Sequence, residues 1–209
     1  MMIGIENYYT FLFAGILLNL TPGADSIYII SRSAAQGRRA GIASVLGIMT
    51  GSMIHTTFAA LGLSMILATS ALAYEIVKYA GAGYLMYLGI KMLVVPSGTI
   101  ITQNELHKDR LIEIYRQGVL TNVLNPKVAL FFLSFLPQFM NPQYAKGPLP
   151  FLLLGLTFTA TGTLWCLIVA YSAASLTKRL RQNQILMKIM QKFCGCVFIL
   201  LGLQLAVRK

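Results

Sequence analysis

The sequence predicts an all-α, polytopic membrane protein with six transmembrane helices arranged as a 3+3 inverted repeat, and three observations predict it. Charged residues are only 11% of the chain, six acids and seventeen bases in 209 residues. Mean hydropathy is +0.70. A soluble domain of this length needs far more charge on its surface. Apolar runs long enough to cross a hydrocarbon core of roughly 30 Å recur along the chain, and the basic residues gather in alternate connections between them.

The spans fall at about 8–30, 40–67, 72–95, 119–140, 149–176 and 185–207, a single transporter-sized domain over residues 1–209 with no soluble domain left over. The opening MMIGIENYYTFLF lacks the basic region and small-residue cleavage site of a secretory signal, so the first apolar segment is read as a retained span. The longest connection, 96–118, is polar and mixed in charge. Its ELHKDRLIEIYRQG brings Leu111, Ile112 and Tyr115 to one side at helical spacing and reads as an interfacial helix on the cytoplasmic surface.

Arg32, Arg38, Arg39, Lys91, Lys108, Arg110, Arg116, Lys178, Arg179, Arg181, Lys188 and Lys192 lie on one side of this layout; Lys78, Lys146, Arg208 and Lys209 lie on the other. By the positive-inside rule the first set is cytoplasmic and both termini are outside. The +11 net charge is therefore a matter of topology. Nucleic acid is not among the expected partners, because the bases lie in short loops instead of lining one face with interleaved aromatics.

Lys78 to Gly89, KYAGAGYLMYLG, resembles Lys192 to Gly202, KFCGCVFILLG, with one residue of slip. Spans three and six then correspond, and with three helices per half the second copy enters the membrane from the opposite side. Each half also contains a break. In span one it is NLTPGAD, Asn19 to Asp25; in span four it is TNVLNPK, Thr121 to Lys127. Proline removes a backbone donor and clashes with the preceding turn, so Pro22 and Pro126 free carbonyls that lipid cannot satisfy. Both breaks must face the bundle interior. With Pro22 roughly 21 Å below the outer edge and Pro126 roughly 10 Å above the inner one, they meet on the cytoplasmic side of the midplane.

Asp25 and Lys127 lie at that meeting point. Either side chain costs about 2.5–3.5 kcal/mol at the centre of a membrane helix, so neither faces lipid. Two readings that are not exclusive follow: a salt bridge that fastens span one to span four, and a polar cavity matched to a zwitterion, with carboxylate to Lys127 and freed amides, and ammonium to Asp25 and freed carbonyls; in the empty carrier the two charges can pair with each other. An intramembrane histidine can carry a proton, so His55 is a candidate for coupling protons beside Asp25; the alternative is one hydrogen bond to a neighbouring helix. In GIMTGSMIH, Gly47 and Gly51 form a GxxxG that lets another helix approach, either within the chain or from a second copy in a homodimer. Cys166, Cys194 and Cys196 are read as small apolar fillers, with no metal site and no cofactor expected. Among the deeper aromatics, Tyr28, Tyr84, Tyr87 and Trp165, core packing is the commoner fate.

The residues TPGADS followed by SRSAAQGRRAG, GIMTGSMIH, VKYAGAGYLMYLGIKML and YRQGVLTNVLNPKVALFFLSFLPQF resemble the LysE/RhtB family of bacterial amino-acid exporters. After Met140 the likeness rests on hydropathy and length. The family's PGPD break is PGAD here, with Ala24 in the place of the second proline. The resemblance implies an inner-membrane protein that is not an enzyme and expels amino acids or close derivatives on the proton gradient. Carried over by position, it implicates Pro22, Gly23 and Asp25, then Gly47, Gly51 and His55, then Asn122, Asn125, Pro126 and Lys127. The competing readings are an exporter of inorganic cations, which wants clustered His, Cys or carboxylates, and a transmembrane electron carrier, which wants thiols in spans one and four.

Overall fold

In the computed structural model, which describes residues 4–21, 23–65, 71–94, 109–141, 147–175 and 184–207, the elements are helices α1 (Tyr8–Leu20), α2 (Ala24–Gln36), α3 (Arg38–Phe58), α4 (Ala71–Val94), α5 (Leu111–Val123), α6 (Pro126–Phe135), α7 (Leu149–Ser175) and α8 (Gln184–Val207). A π turn, Ala59–Leu63, extends α3, and a 3-10 turn, Leu136–Phe139, extends α6. The described residues form no strand beyond one isolated bridge, Ile5 to Met140. Two helices are long and apolar enough to cross a membrane, Arg38–Leu63 and Leu149–Ala173, and two bent pairs qualify if each is one span. Pro22 lies outside the described residues, as do most of the connection before Asp109 and several of the loop lysines.

The bent pairs are α1 with α2 and α5 with α6, turned by 49° and 50°. They are built alike: 13 residues on each side of the first break, and 13 against ten plus a four-residue 3-10 turn at the second. They also run antiparallel and are pinned at both ends. At one end the Glu6 amide donates to the Phe139 carbonyl (2.8 Å), the Asn141 amide to the Gly4 carbonyl (2.9 Å), and the Asn141 side chain to Glu6 (2.7 Å). At the other, the Arg32 guanidinium of α2 meets Asp109, just before α5, at 2.6 Å, and donates to Gln117 Oε1 at 2.6 Å. Helices of equal length fixed at both ends must bring their breaks together.

Leu111 to Gly118, expected as an interfacial helix, is continuous with the residues that follow and forms the first two turns of α5. Glu113 caps this start by accepting from the Arg110 amide at 2.9 Å. Ile114 is fully buried, while Leu111 and Ile112 are exposed. The charges of Glu113 and Arg116 lower the local hydropathy of these turns, although Ile114 and Gly118 on their inner face are buried.

Glycine sets how closely helices approach. A Cβ on Gly47 would strike the Tyr115 carbonyl and lie 2.9 Å from the Gly118 Cα, and one on Gly51 would lie 2.7 Å from the Asn122 Cβ. The contacts advance in the same direction along both helices, so α3 and α5 are parallel. The GxxxG face is therefore occupied within the chain. Helices α4 and α8, 24 residues each, cross antiparallel, with Gly89 against the Gly195 carbonyl and Gly202 against the Ala82 carbonyl.

Two apolar clusters flank the breaks. The larger is aromatic: Phe131 stacks on Phe135 with centroids at 4.6 Å, Phe158 lies 4.6 Å from Phe131, and Phe11 stacks on Phe135 at 5.8 Å. It fills the end where Glu6 meets Phe139. The smaller cluster, Ile29, Val45, Ile48 and Ala170, lies toward Arg32 and Asp109.

Candidate functional site

The second break explains itself from its sequence. Pro126 has the φ that a first helical residue needs and no N–H to leave unsatisfied, while Asn125 caps α6 by accepting from the Lys127 amide at 3.0 Å. In the first break, the Thr21 amide and hydroxyl both return to the Leu17 carbonyl, at 3.1 and 2.8 Å, closing α1. Gly23 is extended and opens α2, placing Asp25 in the first turn, where the helix dipole favours an anion.

Each break supplies the polar partners of the other. The Asn122 side-chain amide donates to one Asp25 carboxylate oxygen at 2.9 Å, and that of Asn125 to the other at 3.2 Å. The Lys127 ammonium donates to the Leu18 carbonyl at 3.2 Å and to the Thr21 carbonyl at 3.0 Å. These carbonyls lie at the end of α1, where Pro22 supplies no N–H to Leu18; the Leu18 carbonyl also accepts from the Thr21 amide at 3.1 Å, and the ammonium adds a second partner that lipid could not provide. The expected assignment is thus refined: Asp25 is held by two asparagines, and Lys127 by the backbone that the first break frees.

His55 is one step removed. Its Nε2 lies 3.2 Å from the Asn122 carbonyl, and its ring stacks on Phe132 at 5.7 Å. Asn122 therefore touches His55 through its backbone and Asp25 through its side chain. Its own Oδ1 is buried without a hydrogen-bond partner. Tyr28 packs outside the site, its hydroxyl donating to the Ile114 carbonyl at 2.6 Å.

A cavity of about 60 Å³ opens at the meeting of the breaks, enough for several waters at roughly 10–15 Å³ each. The breaks contribute Gly23, Asp25, Asn122, Asn125 and Lys127; α3 contributes Val45, Ile48, Met49 and Ser52; α7 contributes Phe158, Thr159, Gly162, Thr163 and Cys166. Its described walls come from neither α4 nor α8. The α7 wall was legible but unread: Thr159, Gly162, Thr163 and Cys166 follow i, i+3, i+4, i+7, one face of a helix. Cys166, expected as apolar filler, is part of that face, and Ser52 stands across from it on α3. Threonine, glycine and cysteine are ordinary in membrane helices, so the stripe alone carried no signal.

Apolar helices broken twice around a cavity that holds one carboxylate and one ammonium define a membrane transport protein. The chain belongs to the LysE type translocator family, whose model matches residues 16–209. It is similar to the homoserine/homoserine lactone efflux protein of Salmonella typhimurium, 31% identical over 96% of each chain. Uncharacterized membrane proteins of Vibrio cholerae (30% identical over 98% of each chain) and Bacillus subtilis (YrhP, 29% identical over 90% of this chain and 92% of the relative) are similar as well. No solved structure matches.

Proposed function

We propose that this protein is a secondary exporter of amino acids or close derivatives across the bacterial inner membrane, driven by the proton gradient, with its substrate held between the two breaks. The observation that carries this reading is the reciprocal arrangement of the breaks: the carboxylate of one lies on the asparagines of the other, and the ammonium of the second on the carbonyls of the first. A zwitterion presents the same two charges. Its carboxylate replaces Asp25 as the partner of the asparagine amides or takes up Lys127; its ammonium replaces Lys127 at the Leu18 and Thr21 carbonyls or takes up Asp25. The name of the Salmonella relative supports an amino acid or its lactone as cargo.

Six spans in a 3+3 inverted repeat form the frame of this reading. Matched bent pairs support it, as does the α4–α8 crossing, where the closing glycine of each repeat copy, Gly89 or Gly202, meets the early small residues of the other copy. With each break about 20 Å from the start of its pair, and the pairs antiparallel, the site lies near the midplane when both starts project slightly beyond the core. Both termini then lie outside, and Arg32, Arg38, Arg39, Arg110 and Arg116 share the cytoplasmic end. Asp25 and His55, connected through Asn122, are the proton-carrying groups in this scheme.

Among the described residues no three His, Cys, Asp or Glu side chains come together as metal ligands, so the cation reading gains no support from geometry. The test is efflux from preloaded vesicles. Asp25→Asn and Lys127→Gln are expected to abolish export while the protein still inserts and folds, and an imposed pH gradient is expected to accelerate export by the parent. Normal export by both variants sinks the reading.

A further inference from the structure

Helix α2 lies between two glycines. Gly23 before it is extended, and Gly37 after it sits at φ +80°, a left-handed conformation that side chains rarely adopt. Residues at the ends of an element are where hinged motions concentrate their φ/ψ change. Between these joints, Asp25, Tyr28 and Arg32 follow i, i+3, i+7 on one face of the helix. All three bond the second bent pair or Asp109 at its start: Asp25 accepts from Asn122 and Asn125, the Tyr28 hydroxyl donates to the Ile114 carbonyl at 2.6 Å, and Arg32 donates to Asp109 and Gln117. Asp25 and Arg32, about 10 Å apart along the axis, thus tie the cavity and the far end of the pair to one helix.

The clasp at Arg32 is only half used. One nitrogen, Nη2, serves both Asp109 and Gln117, each at 2.6 Å, where arginine–carboxylate pairs are frequently bidentate. The other, Nη1, is buried without a hydrogen-bond partner among the described residues, and so is the hydroxyl of Ser33, the next residue, which abuts Gly41 of α3. Burying unpaired polar groups raises the free energy of the arrangement that buries them, so this closed state is one that α2 leaves at reduced cost. The opposite end of the pairs differs in kind. Main-chain bonds between Glu6 and Phe139 and between Asn141 and Gly4 close it, backed by the aromatic cluster. Toward the clasp the barrier is the small cluster of Ile29, Val45, Ile48 and Ala170, and Ile29 stands on α2 itself. Displacing α2 breaches it.

Resting on the export reading above, we infer that α2 is the cytoplasmic gate of the carrier, hinged at Gly23 and Gly37 and latched by Arg32 on Asp109 and Gln117. Cargo enters between α2 and α5 when the latch is open. Because Asp25 rides on the same face, opening draws its carboxylate away from Asn122 and Asn125 and offers both partners, carboxylate and amides, to an entering zwitterion. Closing the latch seats α2 on α5 again and shuts the cargo in the cavity, with the cytoplasmic barrier restored by Ile29.

Cys166 lines the cavity and reports on the gate. With Cys194→Ser and Cys196→Ser in place, a membrane-impermeant thiosulfonate is applied to either face of membrane vesicles. Cys166 is expected to label from the cytoplasmic face at least threefold faster in Gln117→Ala and at least tenfold faster in Arg32→Gln than in the parent, with the rate from the outer face unchanged. Gln117→Ala keeps the ion pair and carries the test should Arg32→Gln not fold. A second arm locks the gate: in a chain with no other cysteine, Arg32→Cys and Gln117→Cys are joined by a bifunctional thiosulfonate. Export from vesicles preloaded with the proteinogenic amino acids and L-homoserine is expected to fall at least tenfold once the bridge has formed, and to recover when dithiothreitol releases it. Labelling within twofold of the parent, an equal rise from both faces, or export undiminished with the bridge formed overturns the inference and leaves the export reading standing. A parent that exports none of the mixture overturns both.

Discussion

Gly51 offers the sharpest perturbation of the site, because it touches no charge and yet controls one. A methyl placed there would sit 2.7 Å from the Asn122 Cβ, 2.8 Å from its Oδ1 and 3.0 Å from its Cγ. All three atoms belong to the side chain whose amide holds the Asp25 carboxylate at 2.9 Å. A short side chain near its backbone cannot swing clear as a long flexible one does, so Gly51→Ala must displace Asn122 and break that bond. A hydrogen bond to a charged group is worth about 1.5–3 kcal/mol, which at 1.36 kcal/mol per decade is about 10- to 160-fold in kcat/KM if the bond matters for transport. The overpacking itself adds about 1–3 kcal/mol of destabilisation. Efflux and thermal unfolding in detergent measure the two effects separately. The decisive comparison is a double-mutant cycle: an Asn122→Ala background has already lost the bond to Asp25, so Gly51→Ala should cost little more in efflux, while the clash with the Cβ that alanine keeps, 2.7 Å away, still costs stability. Efflux by Gly51→Ala within twofold of the parent, or losses that simply multiply in the double variant, would refute this reasoning.

Three further outcomes follow from other contacts. Asn125→Ala removes both the α6 cap and an Asp25 partner, so it should cost about 1 kcal/mol of stability in denaturant titration and a larger fraction of efflux than that loss of fold explains. Asp109→Asn leaves the buried Arg32 guanidinium, 7% exposed, without its counter-charge; unfolding measurements should show a loss of about 3 kcal/mol, and a stability equal to the parent's would mean that Gln117 alone suffices. Phe131→Ala opens the centre of the aromatic cluster, where Phe131 is fully buried, and should lower the unfolding free energy by about 3–5 kcal/mol.

The placement of a break can be read from a sequence because its chemistry is out of place. Pro22, Pro126, Asp25 and Lys127 stand in apolar runs, and the cost of exposing freed carbonyls or charges to lipid directs them inward without any knowledge of the fold. Asn122 and Asn125 belong to the same motif and share that inference. The partners chosen by Asp25 did not follow. Opposite charges at similar depth suggest a direct pair, but two antiparallel bent helices put the asparagine amides against the carboxylate and the ammonium against the α1 carbonyls. The continuity of Leu111 to Gly118 with the rest of α5 was hidden for a related reason: hydropathy measures affinity for lipid, and Ile114 and Gly118 in these charged turns are buried.

Composition, periodicity and the two proline breaks thus determined an all-α membrane chain with a charged interior site, because the energetics of polar groups in hydrocarbon act on each residue locally. Which helix faces which was decided only in three dimensions. Gly47 and Gly51 accept α5 through contacts 68 to 72 residues distant along the chain. Ser52 and Thr159, 107 residues apart, become a pair only when α3 and α7 close on the cavity. A hydroxyl in an apolar helix can turn back to its own backbone or outward to a neighbour, and the sequence is identical in both cases; packing makes the choice.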